Sequence, residues 1–262
     1  MTLISCSGSD DATTPIVVVP SGLGAHALEY ARFGSTVAQV SAAPLTAQAT
    51  GSTLSVSVGR GEISGHRPPT DNRGNTFVQQ GTAHAYTRYA FSGTALYAAP
   101  SVSGGSNHIV TTSHVSGDET TMAVVEVPGG GSITQPWSEV LVGNPLTSKS
   151  IVATGPAKLI AFWWRDADGS VPHTVAANNG FTVIDSFLDS GNLVQRAVAV
   201  KTVLAAGLTT SRGRRRRIRV RSSGLWRYSS AGSHTFTPAV TCIQHAVHRA
   251  SRHRTLRDCH LR

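Results

Sequence analysis

Ser52-Thr53-Leu54-Ser55-Val56-Ser57-Val58 is the stretch of this 262-residue chain that decides its fold class. Three apolar side chains alternate with hydroxyl side chains, so successive residues point to opposite faces of an extended chain. This period of two predicts a half-buried antiparallel strand, apolar towards a core and polar towards solvent. Gly59-Arg60-Gly61 ends the pattern.

Similar strand patterns recur along the middle of the chain, separated by turn signals about every 8–15 residues. The predicted strands cover residues 52–58, 76–80, 85–91, 94–99, 108–115, 122–127, 139–142, 158–164, 181–188 and 194–204. Helical periodicity is weak, and only residues 25–33 are predicted as a short helix. Strands and helices do not alternate, so a parallel α/β sheet is disfavoured. We expect an all-β fold, an antiparallel β-sandwich.

The composition and the cysteine positions agree with this expectation. Only 14% of residues are charged, and the chain contains 26 glycines, as expected for an all-β domain with many turns. The three cysteines are Cys6, Cys242 and Cys259, and none lies in the predicted domain. Neither a disulfide framework nor a zinc site is therefore expected to hold the domain together.

The charge of the chain changes abruptly at about residue 211. Residues 1–210 contain ten basic and thirteen acidic residues, whereas residues 211–262 contain thirteen arginines and one acid, Asp258. The net charge of +9 therefore belongs to the last fifth of the chain. We expect an N-terminal tether over residues 1–30, one β-sandwich domain over residues 31–210, and a largely irregular, disordered tail over residues 211–262.

The tail contains a dense polycation. Its arginines are Arg212, Arg214, Arg215, Arg216, Arg217, Arg219 and Arg221. Such a cluster predicts non-specific binding of nucleic acid, or of anionic lipid, through neutralised phosphates and released counterions. The tail also has no lysine and is rich in Arg, Ser, Ala and His, which is typical of a shifted reading frame or an unselected extension. Both interpretations stay open at this point.

Near the start of the chain, Leu3-Ile4-Ser5-Cys6 has the pattern of a bacterial lipobox, in which the cysteine is acylated. A signal peptide also needs a basic start and an apolar stretch of about 7–15 residues before the cleavage site. Cys6 is therefore a candidate lipidation site if further sequence precedes this chain, and otherwise a chance match. No stretch approaches the roughly 18 apolar residues of a membrane-spanning helix.

Four motifs carry a resemblance to a known group of domains. They are Asp71-Asn-Arg-Gly-Asn-Thr76, Gly93-Thr-Ala-Leu-Tyr-Ala98, Gly104-Gly-Ser-Asn-His108 and Met122-Ala-Val-Val-Glu-Val127. In this order they resemble bacterial and phage β-sandwich domains, immunoglobulin-like or jelly-roll-like, over about residues 35–208. The resemblance implies a surface or structural module, since such domains occur in phage structural proteins and cell-surface proteins.

The sequence contains no catalytic motif. It lacks a G-x-S-x-G nucleophile elbow, a P-loop, a complete dinucleotide-binding fingerprint and an H-E-x-x-H zinc motif. Glu126, Glu139, Asp185 and Asp189 are the candidates for a glycosidase pair, which needs carboxyl groups about 5–10 Å apart. Any β domain of this size carries comparable acids, so the sequence disfavours enzymatic activity and indicates no cofactor.

Two groups of possible metal ligands have simpler explanations. On one unbroken strand, His108 and His114 would face the same way about 20 Å apart, too far for a shared metal ion. We expect both to be solvated strand histidines. Asp166, Asp168 and Gly169 look like the start of a calcium loop, but the third acid and the distal glutamate are missing. An Asp-Gly turn that ends the preceding strand is expected instead.

Trp163 and Trp164 are the candidate ligand-binding residues. Neighbouring strand residues point to opposite faces, so one indole is expected in the core and the other on the outer face or under a loop. An exposed indole can stack on a sugar ring or a partner. An indole covered by a neighbouring strand or loop is merely structural.

The sequence thus predicts a non-enzymatic binding or structural module at a bacterial surface or in a phage particle, with a glycan or a surface partner as ligand. One alternative is a secreted hydrolase acting on polysaccharide. Another is a nucleic-acid-associated protein that binds through its tail. A cleft with two facing carboxylates would favour the hydrolase, and a convex surface with one exposed tryptophan would favour binding.

Overall fold

The structure, a computed structural model, describes residues 22–85, 90–134, 151–153, 155–166, 177, 179–189, 194–204, 207–209 and 236–244. These residues form sixteen strands and one short 3₁₀ helix, η1 (Ile63–Gly65). The strands are β1 (His26–Ala31), β2 (Gln39–Ser41), β3 (Leu45–Arg60), β4 (Thr70–Asp71), β5 (Val78–Gln79), β6 (His84–Ala85), β7 (Gly93–His108), β8 (Val110–Ser113), β9 (Thr120–Val127), β10 (Ser132–Thr134), β11 (Ile151–Ala153), β12 (Ala157–Asp166), β13 (Thr182–Asp189), β14 (Val194–Val203), β15 (Gly207–Thr209) and β16 (Phe236–Gln244). Every strand pair is antiparallel, and the predicted all-β fold is confirmed.

The strands form three main sheets. The first sheet has the order β1-β9-β3-β7-β5, and β6 also pairs with β7. The second sheet has the order β2-β8-β4, and the third has the order β10-β16-β12-β14-β13. A separate pair joins β11 to β15.

The first sheet is the middle layer, because side chains on both of its faces are buried. One face packs against the second sheet in a cluster that includes Val56, Tyr97 and Val110. The other face packs against the third sheet in a cluster that includes Leu96 and Phe162. The predicted sandwich therefore consists of the first and third sheets, with the small second sheet added on the far side.

The hydroxyl face of β3 lies inside the molecule. Ser57 is buried, and it is paired with Leu96 and Ala123, which face the third sheet. The prediction of a half-buried strand is therefore wrong. The third sheet fills this face with the Arg196 side chain of β14, whose guanidinium donates to the carbonyl oxygen of Ser57 at 2.8 Å and to the hydroxyl of Thr121.

Residues 25–33, predicted as a short helix, instead contain the strand β1. It pairs with β9 along its whole length, from His26 opposite Val125 to Ala31 opposite Thr120. These partners lie far apart in the sequence, and long-range pairing overrides a weak local preference.

Several predicted strand boundaries also need correction. The strand predicted over residues 158–164 continues to Asp166. Asp168 and Gly169 of the turn expected after it lie outside the described residues. The strand predicted over residues 85–91 does not extend to Phe91, which lies in a turn, and residues 86–89 lie outside the described residues. The prediction over residues 139–142 lies outside the described residues.

The described part of the tail is a strand. β16 (Phe236–Gln244) lies between β10 and β12, with nine residues paired to β12. The expectation of irregular chain is therefore corrected over this segment, because its backbone bonds to a strand about 80 positions earlier, beyond the reach of local patterns. The rest of residues 211–262 lies outside the described residues.

Candidate functional site

An open groove runs along the outer edge of β1, the terminal strand of the first sheet. Its volume is about 430 Å³. It is lined by Glu29, Tyr30 and Ala31 of β1, by Arg32, Ser35 and Val37 of the following loop, by residues 39–41 of β2, and by Asp189 of β13. The groove therefore lies where the three sheets meet, and its volume is in the range of small-molecule sites.

Tyr30, which lines this groove, belongs to an aromatic cluster. The rings of Tyr30 and Phe187 lie with their centroids 5.0 Å apart and their planes at 32°. Both pack against the buried pair Trp164 and Val194. The Tyr30 ring of the first sheet is therefore fixed by packing against three side chains of the third sheet.

The groove carries a negative field. Glu29, Asp189 and one cation, Arg32, contribute the charged side chains of its lining. Burial, and then the negative charges of Glu119 and Asp189, raise the pKa of the Tyr30 phenol. The Tyr30 hydroxyl therefore stays protonated, and its oxygen atom is buried. Glu29 is held in place, since its carboxylate accepts from the backbone N–H of Ala43 at 3.1 Å.

Exposed apolar side chains lie in the loops that follow β1 and β8. Phe33 is 69% exposed, and Val37 and Val115 are also exposed. The loops that carry them are joined through Gly117, whose backbone N–H donates to Ser35 and whose carbonyl oxygen accepts from Gly34. Of these three residues, Val37 lines the groove.

The two candidate tryptophans lie on opposite faces of β12, as strand alternation predicts. Trp164 is 8% exposed and faces the first sheet, where it supports the groove from below. Trp163 is half-buried on the outer face, the same face as Leu159, which packs with Phe181. Trp164 is therefore too buried to stack on a ligand, and Trp163 lies on the face of the third sheet turned away from the groove.

The candidate carboxylates do not form one constellation. Glu126 is buried and accepts from the backbone N–H groups of Ala25 and Gln48, at 2.8 and 2.7 Å, and from the Ser52 hydroxyl at 2.5 Å. These contacts make Glu126 a structural tie between the N-terminal segment and β3. Asp185 lies 2.6 Å from Nδ1 of His26, joining β13 to β1. Among the four acids, Asp189 is the one found in the groove, and Glu139 lies outside the described residues.

His108 and His114 are buried, so the expectation of solvated histidines is wrong. They are not on one unbroken strand, because β7 ends at His108 and β8 begins at Val110. Nε2 of His108 lies 2.7 Å from a carboxylate oxygen of Asp71. Nδ1 of His114 lies 2.9 Å from the Thr120 hydroxyl. Both histidines are bonded to side chains of other strands.

Asp71 organises the turn that begins the first resemblance motif. Its carboxylate accepts from the backbone N–H groups of Arg73 and Asn75, from the Asn75 amide, and lies against His108. Burial opposes ionisation, but the hydrogen bonds from Asn75, His108 and Arg73 outweigh it and lower the pKa of Asp71. The turn is thereby fixed onto the end of β7.

The last residue of β3 is a buried arginine, Arg60. The Arg60 guanidinium donates to the hydroxyls of Thr120 and Thr112, at 3.3 and 3.2 Å, and to the backbone of Ser113. Burial, and then the nearby charge of Arg60, lower the pKa of His66 to about 4. His66 is therefore neutral at physiological pH.

The remaining candidates fall outside the part of the chain that the structure describes. These are Cys6, Asp168, Gly169 and all seven arginines between residues 212 and 221. Within the described residues, no group of three or more His, Cys, Asp or Glu side chains is placed to hold a metal ion. The described residues also include no helix with the length and apolar character needed to cross a bilayer.

The groove residues Glu29, Tyr30 and Arg32 were not recognised from the sequence. They lie in the segment predicted as a helix, and a helix would have distributed them around its surface. In the strand, Ala27 and Ala31 instead face one side while Tyr30 faces the other.

Comparison with known proteins gives no information on the family or the function of this chain. The chain matches no protein-family model, and no curated protein or solved structure is significantly similar to it. The resemblance to bacterial and phage β-sandwich domains therefore stays a prediction.

Proposed function

We propose that this chain is a non-enzymatic binding module of a bacterial surface or a phage particle, and that it binds an oligosaccharide in the groove along β1. The observation that carries the proposal is the groove itself, where a fixed tyrosine ring lies beside carboxylate, guanidinium and amide side chains. Sugars present both apolar ring faces and hydroxyl groups, and this combination matches both.

The charge of the groove indicates which sugars it accepts. Glu29 and Asp189 outnumber the single cation Arg32 in the lining, and Glu119 adds to the negative field at Tyr30. Like charges repel across short distances. The proposed ligand is therefore a neutral or amino sugar, and uronic acid polymers are disfavoured.

A polysaccharide hydrolase is the second candidate, because Glu29 and Asp189 come from different sheets and line one groove. Two carboxylates are the minimum that glycoside hydrolysis needs. Against this role, the Glu29 carboxylate is occupied by the Ala43 amide, and Glu126 and Asp185 are bonded to other parts of the fold. Binding without turnover is the function that this arrangement favours.

The test is a glycan array probed with the wild-type chain and with Glu29→Gln and Asp189→Asn. Both variants keep the shape of the side chain and remove its charge, so binding of neutral or amino sugars should fall at least about tenfold if the carboxylates accept hydrogen bonds from the ligand. Gln79→Ala on the exposed edge strand β5 is the matched control and should bind normally. An array without hits would refute the proposal.

The same samples distinguish binding from hydrolysis. Bound oligosaccharides are incubated with the wild-type chain and analysed for new reducing ends. Release of shorter sugars that stops in both Glu29→Gln and Asp189→Asn would establish the hydrolase and overturn the binding proposal.

A further inference from the structure

Arg60 places a buried positive charge between the first and second sheets. Its side chain is 0% exposed, and a guanidinium stays protonated in proteins. Its hydrogen bonds all go to uncharged acceptors, which are the hydroxyls of Thr112, Ser113 and Thr120 and the backbone carbonyl of Ser113. Among the described residues, no carboxylate forms an ion pair with it. A buried charge without a counter-charge is costly, so this guanidinium needs a negative partner.

The titratable groups around Arg60 do not supply this partner. Asp118 is the acid that acts on its charge, but the Asp118 carboxylate accepts from the backbone N–H of Glu62 at 3.2 Å. Arg67 adds a second positive charge, and His66 is neutral at physiological pH. Burial therefore outweighs every neighbouring charge and lowers the pKa of Arg60.

Two buried hydrogen-bond donors in this region have no acceptor among the described residues. They are Nε of Arg60 and the hydroxyl of Tyr97, which is also 0% exposed. Tyr97 lies four positions along β7 from Gly93, the partner of Arg60, a separation of about 13 Å at roughly 3.3 Å per residue. Two long side chains on one face of a sheet can bridge this distance. The charge of Arg60 also opposes the rise that burial causes in the pKa of Tyr97.

Both side chains lie in an enclosed layer. Arg60 reaches Thr112 of β8, and Tyr97 packs in the cluster that contains Val110 of the same strand. The 3₁₀ helix η1 covers one side of the guanidinium, since a Cβ added to Gly65 would lie 3.7 Å from Cδ of Arg60 and 3.9 Å from a terminal nitrogen. A ligand that contacts both donors must therefore be small.

We propose that a small anion, chloride in ordinary solutions, binds between Nε of Arg60 and the Tyr97 hydroxyl as the counter-ion of the buried guanidinium. A halide accepts hydrogen bonds from N–H and O–H donors and carries the negative charge that the described side chains around Arg60 do not provide. A water molecule would accept the same hydrogen bonds but leave the charge uncompensated. The site shares no residue with the oligosaccharide groove, so it is independent of the proposed function.

The test is urea unfolding of the full-length chain at neutral pH, with chloride replacing gluconate at constant ionic strength. Both salts screen surface charges equally, and gluconate is too large for a site enclosed by two sheets and η1. An ion that binds only the folded state stabilises it by mass action. Above the dissociation constant, the equilibrium constant for unfolding should therefore fall about tenfold for each tenfold rise in chloride.

Two substitutions assign the effect to the site. Tyr97→Phe removes one donor and no charge, so chloride should bind about tenfold more weakly. Arg60→Met removes the charge and should abolish the chloride dependence, and Tyr97→Phe keeps the test decisive if Arg60→Met does not fold. Arg73→Gln is the matched control, because Arg73 is exposed and donates to the backbone of Ser106 in another part of the first sheet. It should respond to chloride as the wild-type chain does.

Three outcomes would overturn the inference. In the first, the wild-type chain has the same stability in chloride and in gluconate, as expected if water or nothing contacts the two donors. In the second, Tyr97→Phe responds to chloride with unchanged affinity, so the hydroxyl is not a ligand. In the third, a folded Arg60→Met variant keeps the full response, which then belongs to another part of the chain.

Discussion

The Arg196 guanidinium of β14 crosses between two sheets and donates a hydrogen bond to the backbone carbonyl of Ser57 at 2.8 Å. It also donates to the Thr121 hydroxyl, so one buried side chain bonds to two neighbouring strands of the first sheet. Gly59 lies beside it, where an added Cβ would approach the Arg196 guanidinium to 3.3 Å and the Thr121 hydroxyl to 2.7 Å. The two large sheets are therefore joined by a polar contact as well as by apolar packing.

Substitution of Arg196 should destabilise the fold strongly. Arg196→Ala removes hydrogen bonds from a charged donor and leaves a cavity, with an expected loss of about 3 kcal/mol in the free energy of unfolding. Arg196→Lys should recover only part of this, because an ammonium cannot reproduce the planar fork of the guanidinium. Urea unfolding measures both. Full stability in Arg196→Lys would contradict the two-strand contact.

The two tryptophans should respond differently to truncation. Trp164→Ala removes the buried support of Tyr30 and should cost about 3–5 kcal/mol of unfolding free energy. Trp163→Ala, on the half-buried outer face, should cost less than about 2 kcal/mol and leave oligosaccharide binding unchanged. Thermal unfolding and the glycan array provide the two readouts. Loss of binding in a stably folded Trp163→Ala variant would move the ligand site to the outer face.

The buried contact of Asp71 with His108 should be important for stability. Asp71→Asn places an amide donor where the carboxylate accepts hydrogen bonds, and should cost about 2–3 kcal/mol of unfolding free energy. A double-mutant cycle with His108→Ala measures the coupling, which should exceed about 1 kcal/mol. Additive effects of the two substitutions would show that the two side chains act independently.

The free energy of unfolding should decrease in mild acid, because His66 is neutral in the folded chain. Its pKa in the folded chain is about 4, below the value of about 6.5 expected in the unfolded chain. The unfolded state therefore takes up the proton first, so this contribution is complete above pH about 6.5 and is lost as the pH falls towards 4, by about 3 kcal/mol. Urea unfolding at a series of pH values measures this loss.

His66→Gln is the matched control for the acid effect, since glutamine does not titrate. The difference between the two stability profiles isolates His66 from the other histidines. That difference should be nearly constant above pH about 7 and change steadily between pH about 6.5 and 4. A constant difference over the whole range would show that the pKa of His66 is not lowered in the folded chain.

The sequence predicts local features of this fold better than long-range ones. The alternation around Val56 correctly predicts a strand, and the neighbouring positions of Trp163 and Trp164 correctly predict opposite faces. The burial of Ser57 could not be predicted, because the side chain that covers it, Arg196, follows 139 positions later. The groove was missed for the same reason, since Asp189 reaches β1 only through tertiary packing.

The position of β16 in the third sheet imposes an order on the assembly of the chain during synthesis. The first sheet uses strands up to Val127 and can pair once that part has left the ribosome, since chains fold from the N-terminus as they are made. The third sheet cannot be completed until Gln244 has emerged. Nascent chains on one messenger therefore share a period in which β12 of each can pair with β14 but the edge that β16 will occupy is still open.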